Sequence, residues 1–96
     1  MSVNERQLGT YVTEIRRRFE DLLGQMVEIP SISMDPANAP DIRRMADFAR
    51  QVLTDLGAET KIVETGGYPI VSGGWMTGAQ HPTVTIYNHM DVQPAQ

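Results

Sequence analysis

The hydrophobic period of this chain changes once, at Gly57, from helical spacing to alternation, and that single change limits the folds open to it. Upstream, Leu8, Tyr11, Val12, Ile15, Phe19, Leu22, Leu23, Met26 and Val27 recur at three- and four-residue spacing. That is one stripe of an amphipathic helix. Its opposite face carries Glu14, Arg17, Arg18, Glu20, Asp21 and Gln25. Glu14 stands four residues before Arg18, the favourable acid-before-base order for a helix pair. Pro30 ends the helix, because proline disfavours helical geometry in the residue before it. Ser33, Asp35, Pro36, Asn38 and Pro40 supply turn chemistry to a loop over residues 31–40. A second stripe follows in Ile42, Met45, Ala46, Ala49, Val52, Leu53 and Leu56. Asp41 is its candidate cap, with Ala39 and Pro40 as alternative starts. Gly57 sits where a left-handed C-terminal cap belongs.

Beyond Gly57 the residues alternate. Thr60, Ile62 and Glu64 interleave with Lys61, Val63 and Thr65, which predicts a short strand. Gly66-Gly67 is a turn signal. Residues 69–76 predict a second strand, weakened or bulged at Gly73 and Gly74. A third strand, around Val84 and Ile86, is expected to be central because it is apolar, β-branched and free of proline. Two helices followed by about three strands of a mixed sheet define an α/β chain. Nothing after the third strand covers that sheet, so an exposed face or edge is expected, as in the first part of a larger domain.

Composition narrows the function classes. Twelve acidic residues against eight basic ones give a formal net charge of −4. That balance, with no concentrated basic patch, argues against nucleic acid and anionic membrane surfaces as partners. The run Arg16-Arg17-Arg18 reads as a solvated helix face. There is no cysteine, which excludes disulfides and thiolate metal sites. Met1 to Arg6 has no secretory character, and no apolar stretch is long enough to span a bilayer. A soluble cytoplasmic protein is the expectation.

The residues that most directly suggest chemistry lie near the end of the sequence, in Thr83-Val-Thr-Ile-Tyr-Asn-His89-Met-Asp91-Val-Gln-Pro94. A β-branched run stops at a His-x-Asp step. A neutral imidazole is a good zinc ligand. In extended backbone, residues two apart point to the same side, so Asp91 can sit behind the His89 ring and fix its tautomer while the front faces a metal. The alternative reading makes His89 a polar residue in a strand-exit turn and Asp91 a turn former. His81, before Pro82 in a polar connection, reads as a surface histidine. Tyr68 and Trp75 read as packing residues or loop anchors rather than pocket walls, and the six methionines as packing residues.

Two blocks together resemble a known family. Glu28-Ile-Pro-Ser-Ile-Ser33 after an amphipathic helix, and Pro82-Thr-Val-Thr-Ile-Tyr-Asn-His89-Met-Asp91-Val-Gln-Pro-Ala95, are similar to the opening of the zinc-dependent dipeptidases. These belong to a larger metallopeptidase family that includes aminoacylases, deacylases and glutamate carboxypeptidases. The Asp-Val-Gln-Pro-Ala ending looks most like the dipeptidase branch. The resemblance implies an α/β catalytic domain of which residues 1–96 are the N-terminal portion. It implies two divalent metal ions, zinc foremost, with His89 binding one of them. It implies that Asp91 holds His89 and counts as catalytic. The implied substrates are small peptides or acyl-amino acids, cleaved at an amide bond by a metal-bridged water. The further carboxylates, general base and second histidine of the family would lie downstream, so the 96-residue chain alone is expected to be inactive. One departure lies inside the motif: the family usually has glycine before the histidine, and this chain has Asn88.

A reading from a different class is a small α/β interaction module that pairs through an exposed sheet edge, as a homo-oligomer or with a partner. A third is that a separate chain supplies the remaining metal ligands.

Overall fold

The computed structural model describes residues 3–95. Helix α1 spans Glu5–Glu28, a short 3-10 turn spans Pro36–Asn38, and helix α2 spans Ala39–Asp55. Strands β1 (Glu59–Val63) and β2 (Ile70–Gly74) follow. The architecture is therefore the expected α/β one, with a smaller sheet than the alternation predicts.

The start of α1 is set by a capping box. The Asn4 side chain accepts from the Gln7 amide at 2.9 Å, and the Gln7 side chain accepts from the Asn4 amide at 3.0 Å. Two N–H groups that the helix cannot satisfy internally are thereby paired. The helix stops at Glu28, two residues before Pro30. On its polar face the ion pair is Arg16 with Glu20 at 2.9 Å, in place of the expected Glu14–Arg18 pair. The apolar stripe is where expected in sequence, but it is not packed. No residue of α1 is buried, and Phe19 and Val27 are 59% and 61% exposed.

Helix α2 is the element that packs. Ile42, Met45 and Ala46 are buried on one face and, with Ile29 and Ala58, form the core. The helix starts at Ala39 with Asn38 in the capping position, so Asp41 lies in the first turn rather than at the cap. There its carboxylate favours the positive end of the helix dipole and accepts from Asn38 Nδ2 at 3.0 Å. The other end is a Schellman cap. The Gly57 amide donates to Thr54 O at 2.9 Å and the Ala58 amide to Leu53 O at 3.0 Å, with Gly57 at φ +90°. This pairing requires the left-handed region, where a Cβ is costly. Trp75 Nε1 adds a bond to Leu56 O at 3.1 Å, so Trp75 anchors the end of α2.

Strands β1 and β2 form an antiparallel hairpin in unbroken register, with Ile62 opposite Val71 and Thr60 opposite Gly73. No bulge interrupts it at the two glycines. Gly73 instead lets α2 approach: a Cβ there would lie 3.0 Å from Leu53 Cδ1. Thr54 and Thr60 hydroxyls meet at 2.8 Å, and the Arg43 guanidinium forks onto Glu64, with one arm at 2.7 Å. These contacts tie β1 to α2.

The expected third strand does not join the sheet. Among the described residues the sheet has two strands, and it is antiparallel rather than mixed. Val84, Ile86 and Tyr87 are 80–90% exposed. Alternating β-branched residues favour extended backbone, but a ladder also needs a neighbouring strand with free hydrogen-bonding groups. Among the described residues the segment's one ladder contact is elsewhere, an isolated parallel bridge between Ile32 and Val92. No helix among the described residues is long and apolar enough to cross a membrane.

Replacing Gly57 by alanine keeps every side-chain contact but places a Cβ in the left-handed region. It is expected to destabilise the protein by about 1–2 kcal/mol, read as a lower urea midpoint at unchanged slope.

Candidate metal-ligand site

The site begins with the loop that follows α1. Ser31 is fully buried. Its carbonyl accepts from the Val92 amide at 2.9 Å, and its hydroxyl donates to Met90 O at 3.4 Å. From the other side Asn38 Nδ2 donates to Pro30 O at 3.1 Å. The Ile-Pro-Ser-Ile-Ser block and the His-x-Asp block, far apart in sequence, are thus clasped edge to edge. A buried serine with both polar groups paired is a stable arrangement, because an unsatisfied polar group there would carry a desolvation penalty.

The clasp positions His89 and Asp91. Asp91 Oδ1 lies 3.0 Å from His89 Nδ1. Its other oxygen, Oδ2, accepts a short hydrogen bond from the Ser33 hydroxyl. An ionised carboxylate only accepts, so the contact to the ring places the imidazole proton on Nδ1. The Nε2 lone pair is then free for a Lewis acid. The His89 side chain is 80% exposed and that of Asp91 40% exposed, so the ring is accessible. The Ser33 hydrogen bond is the main influence holding the Asp91 carboxyl below its ordinary range. Partial burial opposes it, and His89 adds to it.

Asn88, which stands where the resemblance leads one to expect glycine, adopts no unusual backbone. Among the described residues no residue other than glycine has positive φ. The approach to His89 therefore needs no glycine in this chain. His81 lies in the polar connection near Trp75 and Met76 and is exposed.

Two contributors went unread in the sequence. Ser33 appears there only as a turn former, and Tyr68 only as a packing residue or anchor. The Tyr68 hydroxyl donates to the Ser33 carbonyl at 2.7 Å. No spacing rule links either residue to Asp91, because the contacts run between different elements. The signal that was present is Ser33 closing the first of the two resembling blocks.

Whether these residues suit a metal centre is a question of donor count. His89 with Asp91 behind it suits one ligand position, the imidazole–carboxylate pairing common at metal sites. Catalytic zinc sites use three protein ligands. Among the described residues no group of three or more His, Cys, Asp or Glu side chains converges to hold an ion. The described residues thus fit one position of a metal centre and not a complete one.

The chain is similar to the Cys-Gly metallodipeptidase dug1 of Schizosaccharomyces pombe, at 33% identity over 105 residues that take in 99% of this chain and 22% of that protein. It is also similar to the Cys-Gly metallodipeptidase DUG1 of Candida albicans, at 31% identity over 97 residues, 88% of this chain and 20% of that protein. The chain spans about a fifth of the length of these curated relatives. The similarity supports a metallopeptidase family without selecting a branch within it. No protein-family model matches the chain, and no solved structure matches it significantly.

Because the folded-state pKa of Asp91 lies below its unfolded value, the stabilisation it brings is present above the ordinary aspartate range. That stabilisation is lost as pH falls through the lowered pKa. In the metal-free protein, NMR titration of the Asp91 carboxyl is expected to give a midpoint below that of an unstructured aspartate. Ser33→Ala should move that midpoint upward, and an unchanged midpoint would contradict the assigned cause.

Proposed function

We propose that this chain is the N-terminal portion of the catalytic domain of a metal-dependent peptidase, closest to the dipeptidase branch, that cleaves the amide bond of dipeptides or acyl-amino acids. The observation that carries the proposal is the 3.0 Å contact between His89 Nδ1 and Asp91, in a chain similar along 99% of its length to a metallodipeptidase. His89 Nε2 would bind the metal, for which zinc is the leading choice given an imidazole donor. Asp91, which the resemblance counts as catalytic, would orient the ring and make it a more basic ligand. A bound divalent ion supplies Lewis-acid activation of water and of the scissile carbonyl. His89 would supply one ligand to that ion and Asp91 would orient its ring, and the clasp through Ser31 fixes where the two residues stand. The remaining ligands and the general base are assigned to sequence beyond this chain, because the described residues hold no three-ligand group. A cytoplasmic location belongs to the same reading.

The exposed stripe of α1 favours keeping a second reading, an interaction module that associates through apolar surface. Leu8, Tyr11, Val12, Phe19, Leu23 and Val27 are each 47–61% exposed, an unusual amount of aligned apolar surface for a solitary helix. The rest of a catalytic domain would cover this stripe, as would a second copy of the chain.

Hydrolysis of Cys-Gly and acetyl-amino acids with added zinc separates these readings. The 96-residue chain alone is expected to be inactive, while a polypeptide extended to the length of the relatives is expected to be active. In the extended form His89→Ala should abolish turnover and Asp91→Ala should lower it by roughly 10–100-fold. Full activity in His89→Ala would overturn the ligand assignment. A concentration-independent dimer of the 96-residue chain, with no activity in the extended form, would favour the interaction module.

A further inference from the structure

We propose that Ser33 and Tyr68 are positioning residues for the His89 imidazole, acting through the Asp91 carboxylate. The inference rests on the reading of His89 as a metal ligand, and it adds two residues that neither the resemblance nor the similarity to metallodipeptidases assigns.

A carboxylate held at one oxygen can still rotate, because the terminal torsion of aspartate is broad. Asp91 is held at both. Oδ1 faces His89 Nδ1 at 3.0 Å, and Oδ2 accepts from the Ser33 hydroxyl. With both oxygens engaged, the carboxylate plane is fixed, and so is the direction from which the imidazole N–H is received. Ser33 is itself held. Its carbonyl accepts from the Tyr68 hydroxyl at 2.7 Å. Tyr68 stands in the β1–β2 turn, where its own carbonyl accepts from Thr65 Oγ1 at 2.7 Å and the Gly67 amide donates to the same Thr65 oxygen at 2.9 Å.

The series runs Thr65, Tyr68, Ser33, Asp91, His89. It crosses three separate segments, with Ser33 and Asp91 58 residues apart and Tyr68 and Ser33 35 apart. Tyr68 and Ser33 each accept through the backbone carbonyl and donate through the hydroxyl, so each residue braces the next from the hairpin turn to Asp91. A carboxylate held in this way keeps the imidazole proton on Nδ1 and leaves Nε2 as the ligating nitrogen. Outer partners of this kind typically change metal affinity by roughly 10–100-fold when removed. Ser33, one bond further out than Asp91, is placed at the lower end.

The experiment uses the full chain, 15N-labelled, with Ser33→Ala, Ser33→Thr, Tyr68→Phe and His89→Ala variants. The first readout is the His89 tautomer in metal-free protein at a fixed pH above neutrality, from long-range proton–nitrogen NMR. The unsubstituted chain should be predominantly protonated at Nδ1. Ser33→Ala should give a mixture of tautomers, Tyr68→Phe should shift in the same direction by less, and Ser33→Thr should restore the original state by keeping the hydroxyl.

The second readout is zinc affinity, by competition with a chelating dye, of the polypeptide extended to the length of the relatives, expected to fall roughly 10-fold in Ser33→Ala and to recover in Ser33→Thr. An unchanged tautomer in Ser33→Ala, or a Ser33→Thr variant that behaves like Ser33→Ala, overturns the positioning role. If Ser33→Ala fails to fold, Tyr68→Phe decides the question, because it removes one hydroxyl from a ring that is 41% exposed. Zinc binding that survives intact in His89→Ala overturns the ligand reading instead, and the tautomer readout then judges the positioning role by itself.

Discussion

The hydrogen bond from the Val92 amide to the Ser31 carbonyl is the constraint on which the site depends. It joins the loop after α1 to the segment carrying His89 and Asp91, and it forms the one place where that segment meets a ladder partner, Ile32. Ser31 can serve because it is small and fully buried, so its backbone lies against the incoming chain with no side chain between. Once residues 90–92 are placed, alternation does the rest. Met90 points its carbonyl toward Ser31, and Asp91 turns to the side where both Ser33 and His89 can reach it.

The surrounding framework explains why that loop is fixed. Helix α2 has the only substantial buried face among the described residues, and Ile29 at the loop's start belongs to the same core. The Schellman cap at Gly57 turns the chain directly into β1, so the hairpin folds back over α2, with Gly73 opening the space for Leu53. The hairpin turn then brings Tyr68 to Ser33. Core, hairpin and loop are thus mechanically continuous with the carboxylate behind His89. Helix α1 stands apart from this continuity. Its backbone is well capped, but its apolar stripe is left to solvent, and burial of such a stripe usually contributes more to helix stability than intrinsic propensity does.

Much of this was legible in the chain. Both helices, the stop before Pro30, the left-handed cap at Gly57 and the hairpin around Gly66-Gly67 follow from local rules that involve neighbouring residues. The failures share a cause. β-branched composition predicts the third strand, yet a strand is defined by its neighbour, and among the described residues the segment around Val84 and Ile86 has none. Gly73 and Gly74 lead the sequence to predict a weakened or bulged strand, yet the register is unbroken and Gly73 serves the approach of α2. Asp41 is the candidate cap from sequence, with Ala39 and Pro40 as alternative starts; the helix begins at Ala39 with Asn38 in the capping position, a boundary that Pro36, Pro40 and the preceding 3-10 turn blur in sequence. The His89–Asp91 contact was foreseeable because it is local, two residues apart in extended backbone. The Ser33 and Tyr68 contacts were not, because they bridge elements whose relative placement no spacing encodes.

The sequence by itself determined the helices, the hairpin and the adjacency of an imidazole to a carboxylate, since each is fixed by interactions within a few residues. Only the tertiary structure decided which oxygen of Asp91 faces the ring, what occupies the other, and that the first resembling block closes against the second. Those outcomes depend on how α2 packs against the hairpin and on where the loop after α1 is held. Such placements arise from non-local burial and hydrogen bonding, which a linear pattern constrains but does not contain.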